Sequence, residues 1–291
     1  MPIALARALV DPPTRAPLPY GLLSVAQSPP GADVHWQNGV TFQPDACGPA
    51  NTTVDPCPTP PADKTPSTTD LGVRGAEAFT VYAWVDCDDF GTGGEAEAEA
   101  TRALEWGEGQ AVEKVLWTGS VAPTGSGITI EPHLAEDAAV VSDGATIQTA
   151  ATVVTGSAVK IKLALGLLED ALAKCYQGQG VIHVPRVMAP FLTDGGLVFR
   201  QGTQLVTLNG NLVALGTGYD GSSPASAAGT TTAMWMYATG AVMMRRSSID
   251  VPSFAQSFNR AKNDTVVIAE RTYSLAWECC HLAIPVNLET S

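Results

Sequence analysis

The stretch DTVVIAERTYSLAWECCHLAIPVN, residues 264–287, decides how the chain is read. Its β-branched and aromatic content predicts strand, as two strands or one long bent one. At its centre Glu278, Cys279, Cys280 and His281 gather the groups that metal sites and thiol enzymes use. On a strand, successive side chains point to opposite faces. Cys279 and His281 then share one face and Cys280 takes the other, so one metal cannot easily hold both sulfurs. A thiol nucleophile needs a neighbouring base and a depressed pKa. His281 is near enough to Cys279, but nothing else in the sequence supports the pair. Buried cysteine behaves as a small hydrophobe, and the cluster reads as a core or interface strand.

Working outward from this strand, the preceding segments also read mostly as β. LVFRQGTQLVTLNGNLVALGTG (197–218) is a run of strands with a hairpin turn at Asn209–Gly210. TTAMWMYATG and AVMMRRSSIDV follow, turning at Thr239–Gly240. VIHV (181–184) is a buried strand, and PRVMAPFLTDGG is a short helix with Pro185 at its first position and Gly195 at its end. SAVKIKLALGLLEDALAKCYQGQG predicts a helix capped by Ser157 and ended by Gly178. Its apolar face combines Val159, Leu163 and Leu167 with Ile161, Leu165, Leu168 and Leu172. Modest strand signals lie at GITIE and TIQTA.

AFTVYAWVDC (78–87) predicts a strand. The longest helix is expected over 95–117, where Ala100, Leu104, Ala111 and Val115 recur at helical spacing. Gly107 and Gly109 weaken its middle by about 1 kcal/mol each and mark a bend or a close contact. Residues 1–75 are different. They hold most of the prolines and no long periodic segment, apart from two short extended arms around Asn38–Gly39 marked by Trp36, Val40 and Phe42. Such a region cannot bury a core of its own; it is disordered or lies on neighbouring chains.

Composition bounds the function. A chain of 291 residues with 45% hydrophobic content can bury a large core. Only 15% of residues are charged, which suits a surface buried against partners. The net charge of -13, with Arg245–Arg246 as the only arginine pair, argues against gripping nucleic acid through phosphates. No apolar run reaches the roughly 20 residues that span a bilayer. The N-terminus, with Arg7 interrupting its apolar run, does not read as a signal peptide but as an arm or helix that docks on something. Synthesis and assembly in a cytosol are expected. The six cysteines contain no CxxC. Cys47 and Cys57 share one Pro-rich loop and could pair; free thiols are the default in a cytosol.

Other motifs are incomplete. DCDDFGTGGEAE (86–97) aligns Asp86, Asp88, Gly91 and Glu97 with a calcium loop, but Phe90 stands where an oxygen ligand is required. An acidic helix cap is the plainer reading. GTGYDG (216–221) fits G-x-G-x-x-G yet is followed by SSPASAAGTTT rather than a helix, so it reads as a loop. The histidines His35, His133, His183 and His281 are far apart in sequence, and His183 reads as a satisfied strand histidine. No catalytic, cofactor-binding or metal-ligating residue is assigned, and no cofactor.

Several phrases resemble the major capsid proteins of tailed bacteriophages, especially those infecting actinobacteria: LPYGLLSVA, HWQNGVTFQPDACGPA, EATRALEWGEGQAVEKVLWTG, GVIHVPRVMAPFL and NRAKNDTVVIAERTYSLAWECCHLAIPV. The likeness covers nearly the whole chain and is one of pattern. It implies an α+β fold of the Hong Kong 97 type. Residues 1–30 would be the N-terminal arm and 31–80 the extended loop. Residues 81–157 would hold the spine helix and peripheral domain, 158–247 mainly the axial domain, and 248–291 strands returning to the peripheral domain. It also implies a structural, non-enzymatic role. Copies would assemble as hexamers and pentamers into an icosahedral shell around double-stranded DNA, without sequence-specific binding and with no membrane. Scaffold, portal and decoration proteins would be further partners. The location would be the virion capsid, assembled in the bacterial host cytoplasm. Some family members carry a Lys–Asn cross-link; Lys64 is the only lysine in the extended-loop region, and its partners are not identified. The alternatives are an encapsulin-like nanocompartment shell, a minor virion or tail protein, and a cysteine-dependent enzyme using Cys279 or Cys280 with His281.

Overall fold

The computed structural model describes residues 13, 15–29, 35–44, 47, 73–87, 93–121, 128–142, 145–148, 150–252, 258–259 and 264–289. Strands β1 (Val40–Phe42) and β2 (Arg74–Ala76) pair with each other, Val40 opposite Ala76. The strand β3 (Ala78–Cys87) leads into helix α1 (Gly93–Thr118). Short strands β4 (Val140–Ser142), β5 (Ala145–Gln148), β6 (Thr152–Val153) and β7 (Val159–Lys160) precede helix α2 (Ile161–Tyr176). Then come β8 (Val181–Pro185), α3 (Ala189–Asp194), β9 (Val198–Gln201), β10 (Gln204–Thr207), β11 (Leu212–Gly216), β12 (Met234–Thr239), β13 (Val242–Arg246), β14 (Phe258–Asn259), β15 (Asp264–Trp277) and β16 (His281–Asn287).

Two sheets dominate the described residues. The larger runs β6-β16-β12-β8-β11-β10-β9, with β7 beside β16; the smaller joins β3, β13 and β14 to β15. The chain crosses between them twice at one place. Thr239 of β12 faces His281 of β16, and Val242 of β13 faces Trp277 of β15. Gly240 and Ala241 therefore stand opposite Glu278, Cys279 and Cys280. The ladder continues through the gap: the Gly240 amide donates to the Cys279 carbonyl at 2.7 Å, and the Glu278 amide to the Ala241 carbonyl at 3.1 Å. This two-against-three mismatch is a β-bulge, which bends and twists a ribbon. Cys280 takes the left-handed conformation there, at φ 59°. Gly240 has no room for a side chain, since a Cβ would lie 2.8 Å from the Cys279 carbonyl oxygen and 2.9 Å from the Tyr176 ring. The expected long bent strand is thus the inter-sheet crossing itself. The turn at Thr239–Gly240 lies where predicted, but β12 and β13 do not pair with each other.

Alternation gives the larger sheet two buried faces. Val181, Leu212, Ala214, Tyr237 and Ala283 face one core, which they share with Ala100, Leu104, Val112, Leu116 and Trp117 of α1 and with Phe79, Val267 and Tyr273 of the smaller sheet. Their neighbours Ile182, Val184, Val213, Leu215, Met236, Ala238, Leu282 and Ile284 face a second core with Leu165, Leu168 and Leu172 of α2 and with Leu192 of α3. A sheet covered on both sides explains strands that read as nearly continuous apolar runs.

Local differences from the sequence reading have tertiary causes. α2 starts at Ile161 rather than after a Ser157 cap, because Val159 and Lys160 pair with Val286 and Asn287. Leu163 is exposed, which narrows the predicted apolar face. Pro185 ends β8 opposite Gly216, and α3 begins at Ala189 with Pro190 in its first turn. Trp36–Asn38 form a 3-10 turn, and the expected arm at Val40 pairs with distant Arg74–Ala76, not across Asn38–Gly39. The last two strands divide, β15 going to the sheet of β3 and β16 to the larger sheet.

The cysteine reading changes most. Cys47 pairs with Cys279 rather than Cys57, at a Cα separation of 6.4 Å. Cys175, in the last turn of α2, pairs with Cys280 at 6.0 Å. The adjacent cysteines do go to different partners, but from the bulge between β15 and β16 rather than from the alternation of a regular strand. Disulfides of such long sequence separation stabilise by restricting the unfolded chain, each by about 2–4 kcal/mol. Peptide mapping of oxidised protein should recover Cys47 linked to Cys279 and Cys175 linked to Cys280, and reduction should lower the urea midpoint accordingly. Alkylation of all four sulfurs in the native oxidised protein would contradict the pairing.

Candidate functional site

The two crossings place a set of buried polar groups where α1 meets both sheets. Glu113 of α1 is only 3% exposed. Its carboxylate accepts the Leu22 amide at 3.0 Å, the Thr217 amide at 2.7 Å, the Thr217 hydroxyl at 3.2 Å and the Gly218 amide at 3.1 Å. This answers the G-x-G-x-x-G question. The loop does cradle a carboxylate, but it is a side chain of the same protein, so the Thr217 and Gly218 amides are not open to a nucleotide phosphate. Gly218 is required by contact: a Cβ there would sit 2.2 Å from the Gln110 carbonyl oxygen.

Two further carboxylates act alike. Glu108 of α1 receives Arg271 at 3.0 and 2.8 Å and the Tyr273 hydroxyl at 2.6 Å, fixing the helix to β15. Burial, then the Glu108 carboxylate, pushes the Tyr273 hydroxyl pKa up. Glu169 of α2 accepts from Thr207, from Asn209 at 2.9 Å and from Asn211 at 3.0 Å, pinning the β10–β11 turn. The close contact expected at Gly107 and Gly109 is not found: a Cβ built at Gly109 would meet Leu23 at an ordinary 3.7 Å, and one at Gly107 would face open space.

An aromatic cluster fills the junction. Trp117 is fully buried, its indole nitrogen donating to the Ser222 hydroxyl at 3.0 Å. Tyr219 and Tyr237 flank it, each with ring centroid 4.8 Å away. His183 lies between the Tyr219 and Thr239 hydroxyls, at 3.1 and 3.0 Å, and is the satisfied strand histidine the sequence predicted. Burial lowers its pKa to about 3, helped by His281. The His281 Nε2 lies 2.8 Å from the Leu134 carbonyl oxygen. With Cys279 and Cys280 both in disulfides, neither sulfur is a thiolate nucleophile, and the cysteine-dependent enzyme reading loses its residues.

A third group was not recognised from sequence. Glu131, His133 and Glu136 bring their ligand atoms within 4.8 Å of one another. The E-x-H-x-x-E spacing was the available signal, but no periodic element contains it. The segment is held by backbone bonds instead: Ile130 to Gly119, Leu134 to Leu116, Ala135 to Trp117, and Glu77 to Glu131. The calcium-loop match at 86–97 falls largely outside the described residues, as does the expected docking of the first twelve residues.

On the surface, β3 and β15 turn one face to α1 and the other outward. Trp84 is opposite Ile268 and Tyr82 opposite Glu270, and all but the glutamate are exposed apolar side chains. A cleft of about 660 Å³ lies between the segment Pro17–Ser24 and α1, lined among others by Trp106, Glu113 and Arg186.

Two outcomes are expected. Glu113→Ala leaves three amides without their acceptor and should cost about 3 kcal/mol or more in urea unfolding, because hydrogen bonds to a charged group are the strong ones. For pH, the folded state keeps His183 neutral down to about 3, whereas the unfolded chain takes up the proton near 6.5. Stability is therefore present above 6.5 and lost as pH falls towards 3, by at most about 1.4 kcal/mol per pH unit. Glu131, raised to about 7 by burial and by the Glu136 and Glu77 carboxylates, has the opposite sign: stability is gained as pH falls from about 7 to 4.5. Comparing wild type with His183→Asn at pH 7.5 and 5.0 isolates the histidine; an equal drop in both would refute its contribution.

No protein-family model matches the chain. No curated protein matches it either. Solved structures do. The capsid of the native GTA particle aligns over 97% of this chain and 96% of its own, with TM-score 0.52 and 12% identity. The capsid of Ralstonia phage GP4 aligns over 99% of this chain and 96% of its own, with TM-score 0.52 and 9% identity. At that identity the likeness speaks to architecture, and the architecture is clear: this chain has the fold of phage-type capsid proteins.

Proposed function

We propose that the chain is a structural major capsid protein of a tailed phage, assembling into a closed shell around double-stranded DNA. The observation that carries this reading is the end-to-end match in fold to two capsid subunits, with no large part of either chain left over. The finer assignment is a Hong Kong 97-type subunit. On it, residues 1–30 are the arm, 31–80 the extended loop, 81–157 the spine helix α1 and the peripheral domain, 158–247 mainly the axial domain and 248–291 strands returning to the peripheral domain, although β16 pairs within the larger sheet beside β12. Hexamers and pentamers are the expected units, since a closed symmetric shell reuses one surface in near-equivalent settings. No helix of the described residues is long and apolar enough to cross a membrane.

The physical support lies in what the single chain leaves uncovered. Tyr82 is 53% and Trp84 59% exposed on the outer face of the β3–β15 pair. Aromatic side chains are enriched at the centres of protein interfaces, where they bury large area at low entropic cost. The occupant on this reading is a second copy. The acidic net charge of -13 suits a wall that must not adhere to the DNA it encloses.

Purified protein should form hollow particles of megadalton mass, visible by electron microscopy. Trp84→Asp should abolish or sharply weaken particle formation while changing monomer stability by no more than about 0.5 kcal/mol, as is usual for surface positions. A wild-type chain that remains monomeric under all assembly conditions would overturn the proposal.

A further inference from the structure

We infer that Glu131, His133 and Glu136 form a binding site for one zinc-class divalent cation, which clips the C-terminal end of α1 to the β2–β3 junction. The donors are one imidazole and two carboxylates, a mixed nitrogen and oxygen set of the kind zinc accepts. The His133 Nε2 lies 3.2 Å from Glu136 Oε2 and 3.6 Å from Glu131 Oε1. Ligand atoms bound tetrahedrally to zinc at about 2.0–2.2 Å are separated from each other by about 3.3–3.5 Å. Both separations from the imidazole are therefore close to what a bound ion would impose, and the two carboxylates offer ligand atoms within 4.8 Å of each other.

A second observation points the same way. The Glu131 side chain is 11% exposed, yet its Oε2 has no hydrogen-bond partner among the described residues. A buried carboxylate oxygen without a partner is costly, and such atoms call for an explanation. Glu77 brings a further carboxylate, its Oε2 accepting the Glu131 amide at 3.1 Å. A divalent ion would satisfy all three groups together.

The backbone fixes these ligands before any ion arrives. Ile130 and Leu134 bond to Gly119 and Leu116 at the end of α1, and the Glu131 carbonyl accepts from Glu77 between β2 and β3. Gly119 permits the approach: a Cβ there would meet the His133 ring at 2.5 Å. An ion at this point would stiffen the base of the β1–β2 ladder relative to the long helix. Its role would be mechanical and separate from the interface at Trp84, so its failure would leave the capsid reading standing.

The test uses the full-length chain, stripped with EDTA and dialysed. Zinc chloride should bind at one equivalent per chain by calorimetry and by metal analysis after gel filtration, raising the melting temperature reversibly by at least about 4 °C. Glu131→Gln and Glu136→Gln, which keep shape and one acceptor oxygen, should each weaken binding at least about tenfold. Cobalt(II) added to wild-type protein should give a visible absorption band that zinc abolishes, a readout that needs no variant. No stoichiometric zinc in the wild type, or binding by both variants as tight as that of the wild type, would overturn the site. So would a Glu131→Gln protein of raised stability together with a zinc-insensitive wild type, since the cluster would then be a proton-sharing group only.

Discussion

The structure depends on one continuous antiparallel ribbon that serves two sheets. β12 and β16 belong to the larger sheet, β13 and β15 to the smaller, and the same two chain segments supply both pairs. A single extra residue on the side of Glu278–Cys280 bends the ribbon between them. The position of α1 follows from that bend, because the helix packs into the angle between the sheets and draws on both for its core. The second core, on the far side of the larger sheet, is then closed by α2, whose last turn is tied to the bulge by Cys175–Cys280 and by the Tyr176 hydroxyl bonding to Glu278.

Buried glutamates complete the join. Glu113 and Glu108 lie on one helix, five residues apart, and point at different elements: one at the backbone amides of Leu22, Thr217 and Gly218, the other at Arg271 and Tyr273 of β15. Each carboxylate is fully occupied, which is the condition under which burying a charge can stabilise rather than penalise a fold. In a chain with only 15% charged residues, these internal contacts take a share of the acidic groups away from the surface. They also leave the outer face of β3 and β15 to aromatic and aliphatic side chains, the surface a partner copy would cover.

Much of this was legible in the sequence. The strand at 78–87, the long helix, the Asn209–Gly210 turn and the bent final segment were set by local periodicity and turn chemistry, which a sequence displays directly. His183 was legible too, since a histidine inside a strand of apolar residues needs only two neighbouring hydroxyls. The internal anion of the GTGYDG loop was not. Glu113 is 104 residues from Thr217, and no pattern in either segment names the other. The same holds for the triad at Glu131, His133 and Glu136, which sits on irregular backbone held by α1 and Glu77 rather than on a periodic element.

By itself the sequence determined most of the strand and helix segments and which face of each strand is apolar. These are short-range consequences of side-chain shape and spacing. Its expectation that the first 75 residues are disordered or lie on neighbouring chains fails at Leu22 and Val25, which are buried in this chain's own core. Only the tertiary structure decided that β12 and β13 part at Gly240, that Lys160 is pulled from a helix into a ladder, and that WECCH is a bulge with its sulfurs bonded to Cys47 and Cys175. Pairing between strands is chosen by partners far away in the chain. A cysteine's fate follows from which neighbour the folded backbone brings within about 4.4–6.8 Å of its Cα, a distance no local pattern encodes.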